Sequence, residues 1–295
     1  MSNETKKWLY LGVLSLIWGT SFILIKKSLV GLTAYQLGAL RTVVTGFILF
    51  IAGYNYFKFI KKKDLIWLAI SGTCGTFLPS FFFSIAETEI DSAVVSILNS
   101  LVPLNTILLG LALFKITTTR NQVIGVIIGF SGTVALILAG TDLNPDQNYY
   151  FAIYVLVSTL LYATNVNVIK RYLQDVKPLT IAVGNYVCIY IPALVVLYYT
   201  DFFTVETFSH PEFKMSIFYV VFLSLFGTAI AKVLFNKLIQ ISNPIFASSV
   251  AYVMPIIAVF WGLLDGEKFN FYQLLATIII LFGVYLGNKK QKISA

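Results

Sequence analysis

Apolar runs of about twenty residues, each closed by a short polar break, recur along the whole chain. They cover approximately residues 8–27, 34–57, 65–86, 92–113, 121–140, 149–170, 178–199, 213–238, 243–263 and 270–288. A helix needs about 20 mostly apolar residues to cross the hydrocarbon of a bilayer, so the pattern predicts ten transmembrane helices. The runs are continuous and about twice the length of the alternating strands of a membrane barrel. Breaks such as Lys61-Lys62-Lys63-Asp64, Thr117-Thr118-Thr119-Arg120 and Thr141-Asp142-Leu143-Asn144-Pro145 are short, and only Asp201 to Glu212 can form a substantial loop. The first run follows Lys6-Lys7, contains Trp18 and ends in Lys26-Lys27 without an A-x-A site, so it reads as a membrane helix and not a signal peptide.

Composition agrees. Of 295 residues, 58% are hydrophobic and 12% charged, with a mean hydropathy of +0.84. Soluble domains carry about 25% charged residues, so a water-facing surface is excluded. The net charge of +8 would raise nucleic acid as a partner, but the charges are sorted by loop. Ten helices put both termini on one side, and that side receives 16 of the 21 basic residues, Lys115, Lys289, Lys290 and Lys292 among them. The opposite side receives ten of the 13 acids. This is the positive-inside bias of a multi-pass protein; it predicts cytoplasmic termini in a cell membrane and removes the case for nucleic acid. Cys74, Cys188 and the lone His210 make neither a disulfide framework nor a metal site, and no cofactor is implied.

The chain also resembles itself. Ser15 to Leu29 reads SLIWGTSFILIKKSL and Thr159 to Leu173 reads TLLYATNVNVIKRYL, with Trp18 opposite Tyr162 and Lys26 opposite Lys170. Gly75-Thr76 recurs as Gly227-Thr228, Pro103 as Pro255, and Asp91 as Asn243, the last two being natural N-cap residues. Two copies of a five-helix unit are expected, at 8–140 and 149–288. Five is odd, so the second copy enters the membrane from the other side. The expected fold class is an all-α membrane protein of two inverted five-helix repeats around a central cavity, an arrangement typical of secondary transporters.

Trp18 to Phe22 (WGTSF), Leu40-Arg41, the helices of Pro103 and Pro255, Gly266-Glu267 and Gly283-Val284-Tyr285-Leu286 together resemble the drug/metabolite transporter superfamily, in particular its ten-helix EamA type. The resemblance runs from about Trp8 to Gly287. It implies a basket of ten helices that alternates between inward-open and outward-open states. It also implies supporting fifth and tenth helices away from the cavity. One departure stands out: Phe114-Lys115 occupies the place where the first repeat of the family usually has Gly-Glu.

Ionisable groups within membrane helices are costly and are functional candidates by default. Arg41 and Lys232 stand about two turns inside their segments. Each could snorkel to an interface or line the cavity and attract a carboxylate or phosphate. Asn99, Asn165, Asn167, Asn185 and Asn236 could be packing glue between helices or face a wet cavity. Asn99, one turn before Pro103, is the candidate for the cavity, with Tyr252 in the same region of the ninth segment. Pro103 and Pro255 are candidate helix breaks and gating points. Trp18 and Tyr162 lie too deep to be interface anchors; they could pack the core or line a pocket. Gly125, Gly129, Gly283 and Gly287 form GxxxG spacings that suit close helix packing or a dimer face, so a monomer and a homodimer are both open. Glu87 is the near-membrane acid that could serve proton coupling.

The expectation is a secondary transporter or exporter of a small organic metabolite, an amino acid or other carboxylate-bearing solute being favoured. A non-transporting sensor or structural membrane protein is the alternative. A membrane-embedded enzyme is a further one, for which no acid/base pair or activated nucleophile is visible.

Overall fold

The computed structural model of the protein describes residues 2–114 and 120–288. Lys115, the threonines of the fourth break (Thr117, Thr118 and Thr119) and Lys289, Lys290 and Lys292 fall outside them. Among the described residues there is no strand, and nine helices are long and apolar enough to cross a membrane. These are α1 (Asn3–Ser28), α2 (Ala34–Ala52), α3 (Lys62–Ala86), α4 (Ser92–Ala112), α5 (Val123–Gly140 within a helix from Arg120 to Leu143), α6 (Tyr149–Tyr172), α7 (Pro178–Tyr199), α8 (Phe213–Ile241) and α9 (Pro244–Leu264). A shorter apolar helix, α10 (Phe271–Asn288), follows.

The exterior is as apolar as a core. Trp8, Ile127 and Phe260 are 62%, 64% and 57% exposed on faces that a water-soluble bundle would make polar. The interior combines a hydrophobic core, with Leu14, Leu37, Leu68 and Ile97 fully buried, with buried polar residues such as Ser15, Thr42, Ser71, Ser96, Asn165, Asn185 and Ser224. An apolar exterior around such an interior is what lipid as the solvent demands.

The helices depart from straight spans in five places. α2 stops at Gly53 and a 3-10 turn covers Tyr54–Phe59, so the helix is shorter than the apolar run to residue 57; glycine is the poorest helix former after proline. α3 and α8 each carry a π-helical stretch, Thr73–Phe77 and Leu223–Ile230. These contain the two Gly-Thr pairs that the repeat aligns. α4 breaks at Ser100–Leu101, between Ser92–Asn99 and Val102–Phe114. Pro103 is thus the second residue of a new helix, where a missing N–H costs nothing. In α9 the break falls at Ser249, and Pro255 lies inside the continuous helix Val250–Leu264. The two prolines are therefore not equivalent breaks.

The halves of the chain interleave. α1 packs on α9, α2 on α7, α4 on α6, and α5 on α10. The last pair is built on its small residues. A Cβ at Gly283 would stand 2.5 Å from the Gly129 nitrogen and 2.7 Å from the Gly125 carbonyl oxygen. The small-residue stripes of α5 and α10 thus face one another within one chain, so the close approach they permit is used up internally.

Candidate functional site

Between the paired helices lies a cavity of about 110 Å³. That is room for several water molecules or a small organic group. Trp18, Arg41, Asn99, Tyr162 and Lys232 all line it. Tyr252 does not: its hydroxyl donates to the carbonyl of Val284 at 3.4 Å. Pro103 and Pro255 are also outside the lining; Asn99, Val102 and Met254 are the wall residues nearest them in sequence.

Two cations define the polar part of the wall. Arg41 Nε donates to Thr228 Oγ1 at 2.9 Å, and Lys232 Nζ donates to Thr76 Oγ1 at 2.6 Å. The pairing is reciprocal. A cation from the first half of the chain is held by the threonine of the second π stretch, and a cation from the second half by the threonine of the first. A π turn widens the helix and displaces its carbonyls from the regular ladder, and such turns recur at functional sites. Here they turn Thr76 and Thr228 toward the cavity. Asn185, with its amide turned to satisfy its neighbours, accepts from Lys232 Nζ at 3.2 Å and donates to the carbonyls of Leu68 and Ile181. Among the described residues no carboxylate stands within 4.0 Å of either cation. Lys232 is only 6% exposed, so it does not snorkel out of the bundle. A buried ammonium with hydroxyl and amide partners alone is costly, and a bound anion would relieve that cost.

The remaining wall is mainly aromatic and apolar, with Ser21, Ser80, Asn99, Asn165 and Ser248 as its polar points. Trp18 Nε1 donates to the Gly227 carbonyl at 2.8 Å, and its ring meets Phe235 edge-on at 4.9 Å. Tyr162 stacks on Phe83 at 5.7 Å between ring centroids. Trp18 therefore both packs and lines the wall, anchoring α1 on the π stretch of α8. Asn165 accepts from Ser71 Oγ at 2.7 Å. Gly75 makes room for it, since a Cβ there would lie 2.6 Å from the Asn165 side-chain nitrogen. Among the described residues the buried Asn99 carbonyl oxygen finds no hydrogen-bond partner, and neither does the Ser96 hydroxyl one turn before it. Asn167 and Asn236 instead donate to backbone carbonyls of neighbouring helices, Thr106 at 3.4 Å and Pro178 at 3.2 Å, and act as packing glue.

Next to the wall residue Ile25, a charge cluster closes the end of α1 onto the start of α4 and the turn after α9. Lys26 Nζ meets Glu267 Oε1 at 2.7 Å, Asp265 at 3.5 Å and Asp91 at 3.8 Å, and Lys27 pairs with Asp265. Glu267 also accepts from the backbone N–H groups of Ser92 and Ala93 at 3.0 and 3.1 Å, and from Ser92 Oγ at 2.7 Å. Asp91, a natural N-cap by residue type and position, does not cap α4 with its own side chain. Its carboxylate faces Lys26 and Asn144 instead, and Glu267 supplies the cap from the other half of the chain. Gly266, at φ +86°, turns the chain sharply enough to bring Glu267 back. Asn243, by contrast, does cap, accepting from Phe246 N at 2.7 Å. Sequence reasoning missed the roles of Thr76, Thr228 and Glu267. The paired Gly-Thr and the Gly-Glu are visible as patterns, but their partners lie 156, 187 and 175 residues away.

The sequence matches the EamA-like transporter family over residues 6–138 and again over residues 150–288. An uncharacterized transporter of Archaeoglobus fulgidus is 26% identical over 97% of this chain and 100% of its own length. The uncharacterized inner membrane transporter YedA of Escherichia coli (strain K12) is 26% identical over 92% of this chain and 87% of its own length. Solute carrier family 35 member F5 of Bos taurus is 30% identical over 54% of this chain and 31% of its own length. A solved crystal structure of a protein 18% identical in sequence superposes with a TM-score of 0.67, covering 97% of both chains. It shares the fold.

Proposed function

The chain belongs to the EamA-like transporter family, and on the premise that it is a multi-pass membrane transporter we propose that it carries a small organic solute bearing a carboxylate, an amino acid being favoured, by alternating access. In this reading α10 is the tenth crossing, both termini are cytoplasmic, and residues 8–140 and 149–288 are inverted repeats that rock about the cavity. The twofold family match and the matched π stretches of α3 and α8 support that organisation.

The observation that carries the substrate class is the cation pair. Arg41 and Lys232 line one small cavity, each held by a threonine of the opposite half, with no carboxylate within 4.0 Å among the described residues. A carboxylate entering there would pair with both and draw the two halves together around it. Trp18, Tyr162 and the neighbouring Phe83 and Phe235 would take the rest of the molecule. Asn99, with its free carbonyl oxygen, is placed to accept from an ammonium.

Reconstituted in proteoliposomes, the protein is expected to support uptake or counterflow of at least one solute from a panel of amino acids, organic acids and nucleosides. Arg41→Gln and Lys232→Gln should each lower that flux by roughly 10- to 100-fold, the worth of a charged hydrogen bond of about 1.5–3 kcal/mol. If both variants transport as the wild type does, the cationic site is wrong.

A further inference from the structure

Glu87 ends α3 beside the ionic closure and takes no part in it. It is 6% exposed, and neither of its carboxylate oxygens accepts a hydrogen bond of ordinary geometry from any described residue. Charged groups approach it from three sides: Lys26 on α1, Arg41 on α2 and Glu267 from the turn between α9 and α10. The backbone N–H of Lys26 faces it without completing a bond. α6 packs against the same end of α3 through Tyr154, whose ring meets Phe82 at 5.6 Å. Lys26 is committed elsewhere, to Glu267 at 2.7 Å, with Asp265 and Asp91 beyond.

An ionised carboxylate without water, donor or paired cation is among the most expensive groups a protein can bury. Burial, reinforced by the nearby charge of Glu267, holds the Glu87 carboxyl well above the usual carboxylate range, while Lys26 and Arg41 pull only partly back. In the closed arrangement Glu87 is therefore a neutral acid. Parting Lys26 from Glu267 would unseat α1 from the start of α4 and the end of α9, open the path from this end, and wet Glu87. In water and beside two cations, its proton is lost.

We propose that Glu87 is a proton-binding site linked to the closure: shutting this end of the transporter takes up one proton at the Glu87 carboxylate, and opening it returns that proton to water. The proposal rests on the alternating-access reading above and adds to it a ligand. Its sign follows from linkage. The closed form has the raised affinity for the proton, so it is favoured at low pH and loses that advantage as pH rises through the closed-form value. One proton changes the closed-to-open ratio by at most about tenfold per pH unit.

The test reads the closure and not the flux. Spin labels at Val30→Cys and Leu264→Cys, both exposed at this end, report the separation of the α1–α2 turn from the end of α9 in a Cys74→Ala, Cys188→Ala background. In phospholipid vesicles titrated from about pH 4.5 to about pH 8.5, the long-distance population should rise with pH with the steepness of a single proton. Glu87→Gln, a permanent stand-in for the neutral acid, should stay short at every pH. A flat wild-type titration, or a Glu87→Gln titration that follows the wild type, would overturn the proposal. Counterflow on the same samples separates the two ideas: titrating distances without flux would leave the proton site standing and sink the transport reading. Normal flux with flat distances would do the reverse.

Discussion

At the scale of single residues, the cavity is organised by hydrogen bonds that cross between the halves of the chain. Lys232 depends on the Thr76 hydroxyl and on Asn185. Thr76→Val keeps the shape and removes the acceptor, leaving an ammonium that is 6% exposed with half its partners. Unfolding or thermal inactivation in detergent should register a loss of about 1–3 kcal/mol, the cost of an unsatisfied buried polar group. Replacing both residues, Thr76→Val with Lys232→Met, should recover most of it, because the charge that needed the acceptor is gone. A double variant no more stable than Thr76→Val alone would mean that the hydroxyl matters for packing and not for the charge. The residues of the cavity are partly legible in the sequence. A charge inside an apolar run is conspicuous, so the hydropathy pattern by itself singles out Arg41 and Lys232. Thr76 and Thr228 are not conspicuous, because a threonine in a membrane helix has an ordinary structural use in bonding its own backbone, as Thr106 and Thr133 do here. Tyr252 illustrates the opposite error. Ala251, the repeat equivalent of Asn99, does line the cavity, whereas Tyr252, one position further along the helix, sends its hydroxyl to the Val284 carbonyl.

At the scale of elements, apolar run length locates the helices, since membrane thickness fixes that length. What it does not reveal are interruptions in the ladder. Proline is the visible signal, yet α4 breaks before Pro103 and α9 runs through Pro255. The π stretches of α3 and α8 carry no proline at their centres; Gly75-Thr76 and Gly227-Thr228 mark them, and only their recurrence hints at it. The α5–α10 pair behaves more simply. Its glycines allow backbones to touch, and Gly283→Leu would drive a branched side chain into Gly129 and Gly125. Overpacking of this kind costs about 1–3 kcal/mol or more. A thermal melt should show that loss, while the flux per folded molecule stays near wild type, since neither helix lines the cavity. An unchanged melting temperature would argue that the two helices separate readily.

At the scale of the whole molecule, the ends of the bundle are unequal. Lys26 sits in a carboxylate cluster, whereas Lys170, its partner in the internal repeat, donates to backbone carbonyls at the end of α8, 2.7 Å from the Ser242 oxygen. Lys26 thus fastens its end through ion pairs, and Lys170 its end through bonds to backbone carbonyls. On the alternating-access reading proposed above, such a carrier rests with the first end shut, and the charge of the proposed carboxylate supplies part of the energy that shifts it. The central claim is thus that Arg41 and Lys232 recognise a carboxylate. Its most direct measurement is competition in proteoliposome counterflow between the transported solute and its carboxamide, which has the same shape and no charge. The carboxamide should compete at least about tenfold more weakly in the wild type, and this preference should collapse in Arg41→Gln and Lys232→Gln. Equal competition by acid and amide in the wild type would contradict it.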